Sequence, residues 1–139
     1  MALPIGYLTR RVQFAASHRL HSRELSDEEN RLLFDKCNYP NGHGHNYVLE
    51  VTLRGAIDQK TGMIMNIRDL KEIMNREIMD RVDHRHFNLD VPPFDVVNPT
   101  TENVAVIFWQ WLDTALPKGL LFEIKLWETD HNIVTYRGE

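Results

Sequence analysis

A single cysteine, Cys37, stands six positions before a His-Gly-His in the stretch CNYPNGHGHNY, residues 37–47. On an extended strand His43 and His45 point the same way, so both imidazoles can reach one metal ion. Gly44 between them has no side chain on the opposite face, which lets other backbone come close there. His18 closes another alternating segment and can add a third nitrogen if the two strands are neighbours. Three neutral imidazoles without a thiolate suit zinc, with a fourth position open to water or substrate, which is the catalytic pattern. His21 lies past the end of the alternation and ranks second as a ligand. His86 and His131 sit among charged and turn residues and read as surface groups.

The other candidates have competing readings. Cys37 sits in a turn; it can serve as a base or nucleophile beside a cation, or as a fourth zinc ligand that closes the site. Asp83 and His84 adjoin at the end of a helical pattern. An Asp that holds a His orients it for proton transfer, but neighbours on a helix do not face each other, so the pair needs an irregular segment. Glu128 ends an apolar strand face, where a carboxylate can accept two hydrogen bonds from a planar N–C–N edge such as a pterin or guanine presents. Thr100, Thr101 and Glu102 are helix-start residues first, and ligand contacts if that helix end faces the pocket.

The positioning elements follow from periodicity. Val12, Phe14, Ala16 and His18 share one parity, as do His43, His45, Tyr47, Leu49, Val51 and Leu53; each set reads as a strand with one buried face. Ser26 with Glu29 marks a capping box for a short helix. Asn66 can cap a helix with stripe Ile67, Leu70, Ile73, Met74, Ile78 and Val82. Thr100 or Thr101 can cap another, with stripe Val104, Ile107, Phe108, Trp111, Leu112 and Leu116. Leu120, Phe122, Ile124, Leu126 and Glu128 are expected on one face of a closing hairpin turned by TDHN. The fold class is therefore α+β: a four-stranded antiparallel sheet with two long helices on one face. Free sheet edges favour pairing with another subunit.

The 139 residues suit one domain spanning 1–139. A 42% hydrophobic and 26% charged composition is that of a soluble globular chain. A net charge of -4 gives no general attraction to nucleic acid or an anionic membrane. No apolar run approaches the roughly 20 residues of a membrane span, and the N-terminus lacks the pattern of a secretory signal. One cysteine makes no internal disulfide, so a reducing, cytoplasmic setting is expected.

Read together, FAASHRL, KCNYPNGHGHNY, TGMIMNIRDLK, VDHRHFNLDVP, TTENVAV and ETDHNIVTYRGE give the chain a close resemblance to the animal-type 6-pyruvoyl-tetrahydropterin synthase family. The similarity runs from about residue 10, leaving the first nine residues or so as a flexible lead-in. The resemblance implies the tunnelling fold, in which subunits join as trimers into a barrel and two trimers stack as a homohexamer, with active sites between subunits. It implies zinc on His18, His43 and His45, a catalytic Cys37, an Asp83–His84 relay, a pterin-anchoring Glu128, and pterin contacts from Thr100, Thr101 and Glu102. The implied substrate is 7,8-dihydroneopterin triphosphate, converted to 6-pyruvoyl-tetrahydropterin with loss of triphosphate. Bacterial 6-carboxy-tetrahydropterin synthases use a similar site, but the five residues between Cys37 and His43 resemble the pyruvoyl type. A non-catalytic zinc scaffold, with Cys37 as fourth ligand, is the alternative from another class.

Overall fold

The structure, a computed structural model, describes residues 2–139. Its frame is a long antiparallel pair, β1 (Ile5–His18) and β2 (His43–Ala56), in register from Ile5 opposite Ala56 to His18 opposite His43. Strand structure thus begins at Ile5, inside the stretch expected to be a flexible lead-in. Between them lie α1 (Asp27–Phe34), with the expected Ser26–Glu29 capping box, and a 3-10 turn over Asp35–Asn38. After β2, one helical run comprises α2 (Ile67–Met74), a π turn (Asn75–Met79) and α3 (Asp80–Val82). Asn66 caps α2 by accepting from Arg68 N. The rest is β3 (Arg85–His86), α4 (Phe87–Asp90), α5 (Thr101–Ala115), β4 (Leu121–Trp127) and β5 (Ile133–Tyr136).

The sheet has five strands among the described residues, ordered β3-β1-β2-β4-β5, not the four expected. The additional strand is the two-residue β3, parallel to β1 with Ala16 opposite Arg85 and Ser17 opposite His86. Asp83 creates it: its Oδ1 accepts from Ala15 N at 3.0 Å, and His84, at φ 62°, redirects the chain alongside β1. Two residues carry no periodic signal, so this strand is a product of tertiary contact.

One face of the sheet carries the core. Phe14, Tyr47, Leu49, Val51, Leu53, Ile124 and Leu126 are buried there against Leu70, Met74, Ile78, Val82, Val104, Phe108 and Leu112 of the helices. Burying such side chains stabilises by about 1.5–3 kcal/mol each. The expected parity of β4 fails at its start. A bulge sets Leu53 opposite Leu121 but Thr52 opposite Glu123, so Leu121 is buried while Phe122 packs edge-on against Tyr7 on the outer face. An extra residue in one strand shifts the side-chain alternation by one. No helix among the described residues is long and apolar enough to cross a membrane.

Candidate metal and ligand site

Strand register assembles the histidines. His18 pairs directly with His43, and Ala16 with His45, so the three rings meet on the core face at one end of β1 and β2. Ring centroids lie 4.8–5.1 Å apart, at 70–88° to one another. One ring nitrogen from each lies within 4.8 Å of the others.

The tautomer of His18 follows from its partner. Nδ1 lies 2.9 Å from Pro99 O, and a carbonyl only accepts, so Nδ1 carries the proton and Nε2 presents its lone pair. That Nε2 is buried and has no hydrogen-bond partner; the same holds for His45 Nε2. An orphaned buried polar atom costs about 1–3 kcal/mol. Burial is the main cause that lowers His18 to about 4, opposed by Pro99 and Glu128 and helped by His45 and His43. Burial likewise lowers His45, against Glu128. Neutral imidazoles with vacant buried lone pairs are the form a metal ion binds, and these residues fit one.

Glu128 completes the wall of the pocket, one residue beyond β4. Its Oε2 and Oε1 lie 3.8 Å and 3.9 Å from His18 Nε2 and His45 Nε2, too far for hydrogen bonds. Thr101 Oγ1 donates to Glu128 Oε2 at 2.8 Å. Thr100, Thr101, Glu102 and Glu128 line one cleft of about 550 Å³ with Leu20 and His131. The α5 start therefore does face it, with Thr100 accepting from Asn103 N as the cap.

Cys37 is half-buried in the 3-10 turn. Its carbonyl accepts from Leu20 N at 2.8 Å, which ties the turn to the chain just after His18. Burial first, then the carboxylates of Glu128 and Asp35, pushes its thiol up. It is not among the clustered metal-binding groups.

Asp83 and His84 do meet, Oδ1 to Nδ1 at 3.0 Å, because the chain is irregular there. The His84 side chain is 83% exposed, in a shallow recess with Ala15, Ser17, Gly44 and Asn46. His45 and Ala16 border the same recess, so the dyad lies beside the strand ends and outside the three-histidine cluster.

His21 is not in the three-histidine cluster; its Nδ1 accepts from Asn38 Nδ2 at 3.1 Å. His86 corrects its surface reading: it is half-buried, with Nδ1 inside the protein and unpartnered. His131 is exposed. Close backbone approach occurs at Gly42, not Gly44. A Cβ on Gly42, at φ 71°, would lie 2.7 Å from His18 O, whereas one on Gly44 would make only ordinary contacts. Sequence reasoning gave no role to Pro99, whose backbone carbonyl leaves no side-chain signal. Tyr47 it placed only on the buried face; its hydroxyl stands 3.4 Å from His18 Nδ1, and burial, then Glu128 and Cys37, raises its phenol.

Fold and pocket define an α+β protein with a three-histidine cluster able to hold a metal ion at one end of its sheet. Comparison with known proteins is specific. The family model described as 6-pyruvoyl tetrahydropterin synthase matches residues 7–139. The Homo sapiens 6-pyruvoyl tetrahydrobiopterin synthase is 56% identical over 132 residues, 95% of this chain and 91% of that protein. Its Drosophila melanogaster namesake is 51% identical over 136 residues, 97% and 81% respectively. The solved structure of Caenorhabditis elegans 6-pyruvoyl tetrahydropterin synthase superposes with a TM-score of 0.96 at 42% identity, covering 100% of this chain and 99% of that one. The chain belongs to the 6-pyruvoyl tetrahydropterin synthase family, and it is an enzyme.

Proposed function

We propose that the chain is a zinc-dependent lyase that converts 7,8-dihydroneopterin triphosphate to 6-pyruvoyl-tetrahydropterin with elimination of triphosphate, a step of tetrahydrobiopterin biosynthesis in the cytoplasm. The observation that carries the reading is the triad itself: two buried, unpartnered Nε2 atoms beside a carboxylate that borders a ligand-sized cleft. His18, His43 and His45 hold the zinc, which when bound supplies Lewis acidity to the hydroxyls and C–H bonds of the substrate's side chain.

The protein's own groups do the rest. Glu128 accepts from the N–C–N edge of the pterin, with Thr101 fixing its carboxylate; Thr100 and Glu102 border the same cleft. Anchoring the ring there sets the side chain beside the triad, a positioning effect. Cys37, as thiolate, takes a proton from a side-chain carbon. Its burial and acidic neighbours oppose ionisation, so the thiolate needs the positive field of a loaded site. His84, oriented by Asp83, returns protons on the opposite side. Because His84 is exposed, the dyad serves the pocket of an adjacent copy in a barrel-forming dimer of trimers. The free sheet edges at β3 and β5 support that assembly. Oxidation of the side chain is balanced by reduction of the ring, so no external redox cofactor enters.

The test is an anaerobic incubation of zinc-loaded protein with 7,8-dihydroneopterin triphosphate. Triphosphate plus a pyruvoyl pterin without acetaldehyde is expected. Acetaldehyde with a carboxy pterin replaces the reading by the 6-carboxy reaction, and zinc binding without turnover replaces it by the scaffold.

A further inference from the structure

The segment that follows His18 is held in place by side chains. Residues 19–22 have left the sheet, so their backbone groups need partners other than a ladder. Asn88 clamps Arg19 on both sides, Oδ1 accepting from Arg19 N at 2.8 Å and Nδ2 donating to Arg19 O at 2.9 Å. Asn98 Oδ1 accepts from His21 N at 3.0 Å, and Asn38 Nδ2 donates to Leu20 O at 2.7 Å. Because Leu20 O only accepts, the Asn38 amide orientation is settled, and its nitrogen also donates to His21 Nδ1. The neutral His21 ring then carries its proton on Nε2. Arg19 Nε donates to Asn38 O at 2.9 Å, which leaves both η nitrogens without a protein acceptor among the described residues.

These donors line a cleft of about 380 Å³ with Arg23, His86, Asn88 and Asn98. Asp95 is the only carboxylate on its wall, and Arg23 donates to the Asp95 backbone carbonyl, at 2.9 Å. The cleft flanks the triad: Arg19 follows His18, and Asn98 precedes the Pro99 that holds it. The Glu128 cleft is the opposite in character, with two carboxylates and no Arg or Lys. A polyanion is repelled there and attracted here.

We propose that the Arg19–His21 cleft is an oligophosphate-binding site. Guanidinium groups pair with phosphate oxygens through a planar fork, and backbone clamping pre-organises Arg19 and His21 for it. A triphosphate can reach it from either of two sources: the tail of the substrate proposed above, or free triphosphate after release. The assignment to that substrate rests on the proposed function; the anion site does not.

The experiment is calorimetric titration of inorganic tripolyphosphate into the full chain, both metal-loaded and metal-stripped, since tripolyphosphate chelates cations. Saturable binding to both forms is expected, weakened at least tenfold by Arg19→Gln and by His21→Leu and unchanged by Glu128→Gln. Thermal melts report folding, and His21→Leu keeps the Asn38–Leu20 bond should Arg19→Gln unfold. Tripolyphosphate inhibition competitive with 7,8-dihydroneopterin triphosphate, with KM raised in Arg19→Gln and kcat retained, assigns the substrate tail. Non-competitive inhibition assigns the free anion. Binding confined to the metal-loaded form, no saturable binding, or equal binding by both variants overturns the site. Tripolyphosphate bound by wild type that turns over no pterin leaves the cleft standing and sinks the synthase reading instead.

Discussion

Pro99 O lies 2.9 Å from His18 Nδ1 in the protein interior, so a loop carbonyl 81 residues away orients the most buried member of the triad. A fixed partner on one ring nitrogen sets the tautomer and the direction of the other. The loop before α5 thereby both shapes the pocket and, through Thr100 and Thr101, starts the helix that borders the Glu128 cleft.

Metal content separates ligands from neighbours. His18→Ala, His43→Ala and His45→Ala are each expected to lose bound zinc, whereas Cys37→Ala retains it and loses turnover. Metal analysis after dialysis against a weak chelator reads this. A Cys37→Ala protein that releases its zinc makes the cysteine a fourth ligand and returns the scaffold.

Acid should weaken the metal-stripped protein through His18. Its ring is lowered from 6.5 to about 4, chiefly by burial, so the unfolded chain binds the proton first as pH falls. The associated stability is present above pH 6.5 and is lost between 6.5 and about 4, amounting to about 3 kcal/mol. Urea unfolding at both ends of that window, in wild type and His18→Gln, measures the difference. Identical pH dependence in the two proteins contradicts the assignment.

Cys37 reports the field of the loaded site. Without metal its thiol is raised by burial and by Glu128 and Asp35, so it is protonated at neutral pH. Zinc on the triad and Glu128→Gln should each lower the pH midpoint of its alkylation. With one cysteine in the chain, iodoacetamide incorporation by mass spectrometry is unambiguous. A midpoint that zinc leaves unmoved removes Cys37 as the metal-assisted base.

What was legible in the sequence, and what was not, divides along a physical line. The parity of Val12 to His18 and of His43 to Leu53 determines which side chains share a face, and antiparallel register then forces His18 beside His43. Helix starts were equally readable, since Ser26, Asn66 and Thr100 satisfy orphan N–H groups within their own segment. The unread features all depend on distant contacts. Strand β3 exists because Asp83 reaches Ala15, Phe122 turns outward because of a bulge, and His86 is drawn inward by its pairing beside Ser17. The Asp83–His84 contact, by contrast, is local: the irregular segment it needs is supplied by the positive φ at His84.

The two glycines flanking His43 offer the sharpest stability contrast. Gly42 has φ 71°, and an added Cβ would stand 2.7 Å from His18 O and 3.0 Å from His86 Nε2. Left-handed backbone costs a non-glycine residue roughly 1–2 kcal/mol, and the backbone contact at 2.7 Å adds to it because the oxygen belongs to His18, a member of the triad. Gly44 has no such constraint; its nearest atom would be Ala16 O at 3.5 Å. Gly42→Ala is therefore expected to destabilise by about 2 kcal/mol or more and to weaken metal binding by displacing His18. Gly44→Ala should change stability by less than about 0.5 kcal/mol. Denaturant midpoints and zinc affinities of the two variants decide it, and equal effects at the two positions would show that the turn before His43 does not set the geometry of the triad.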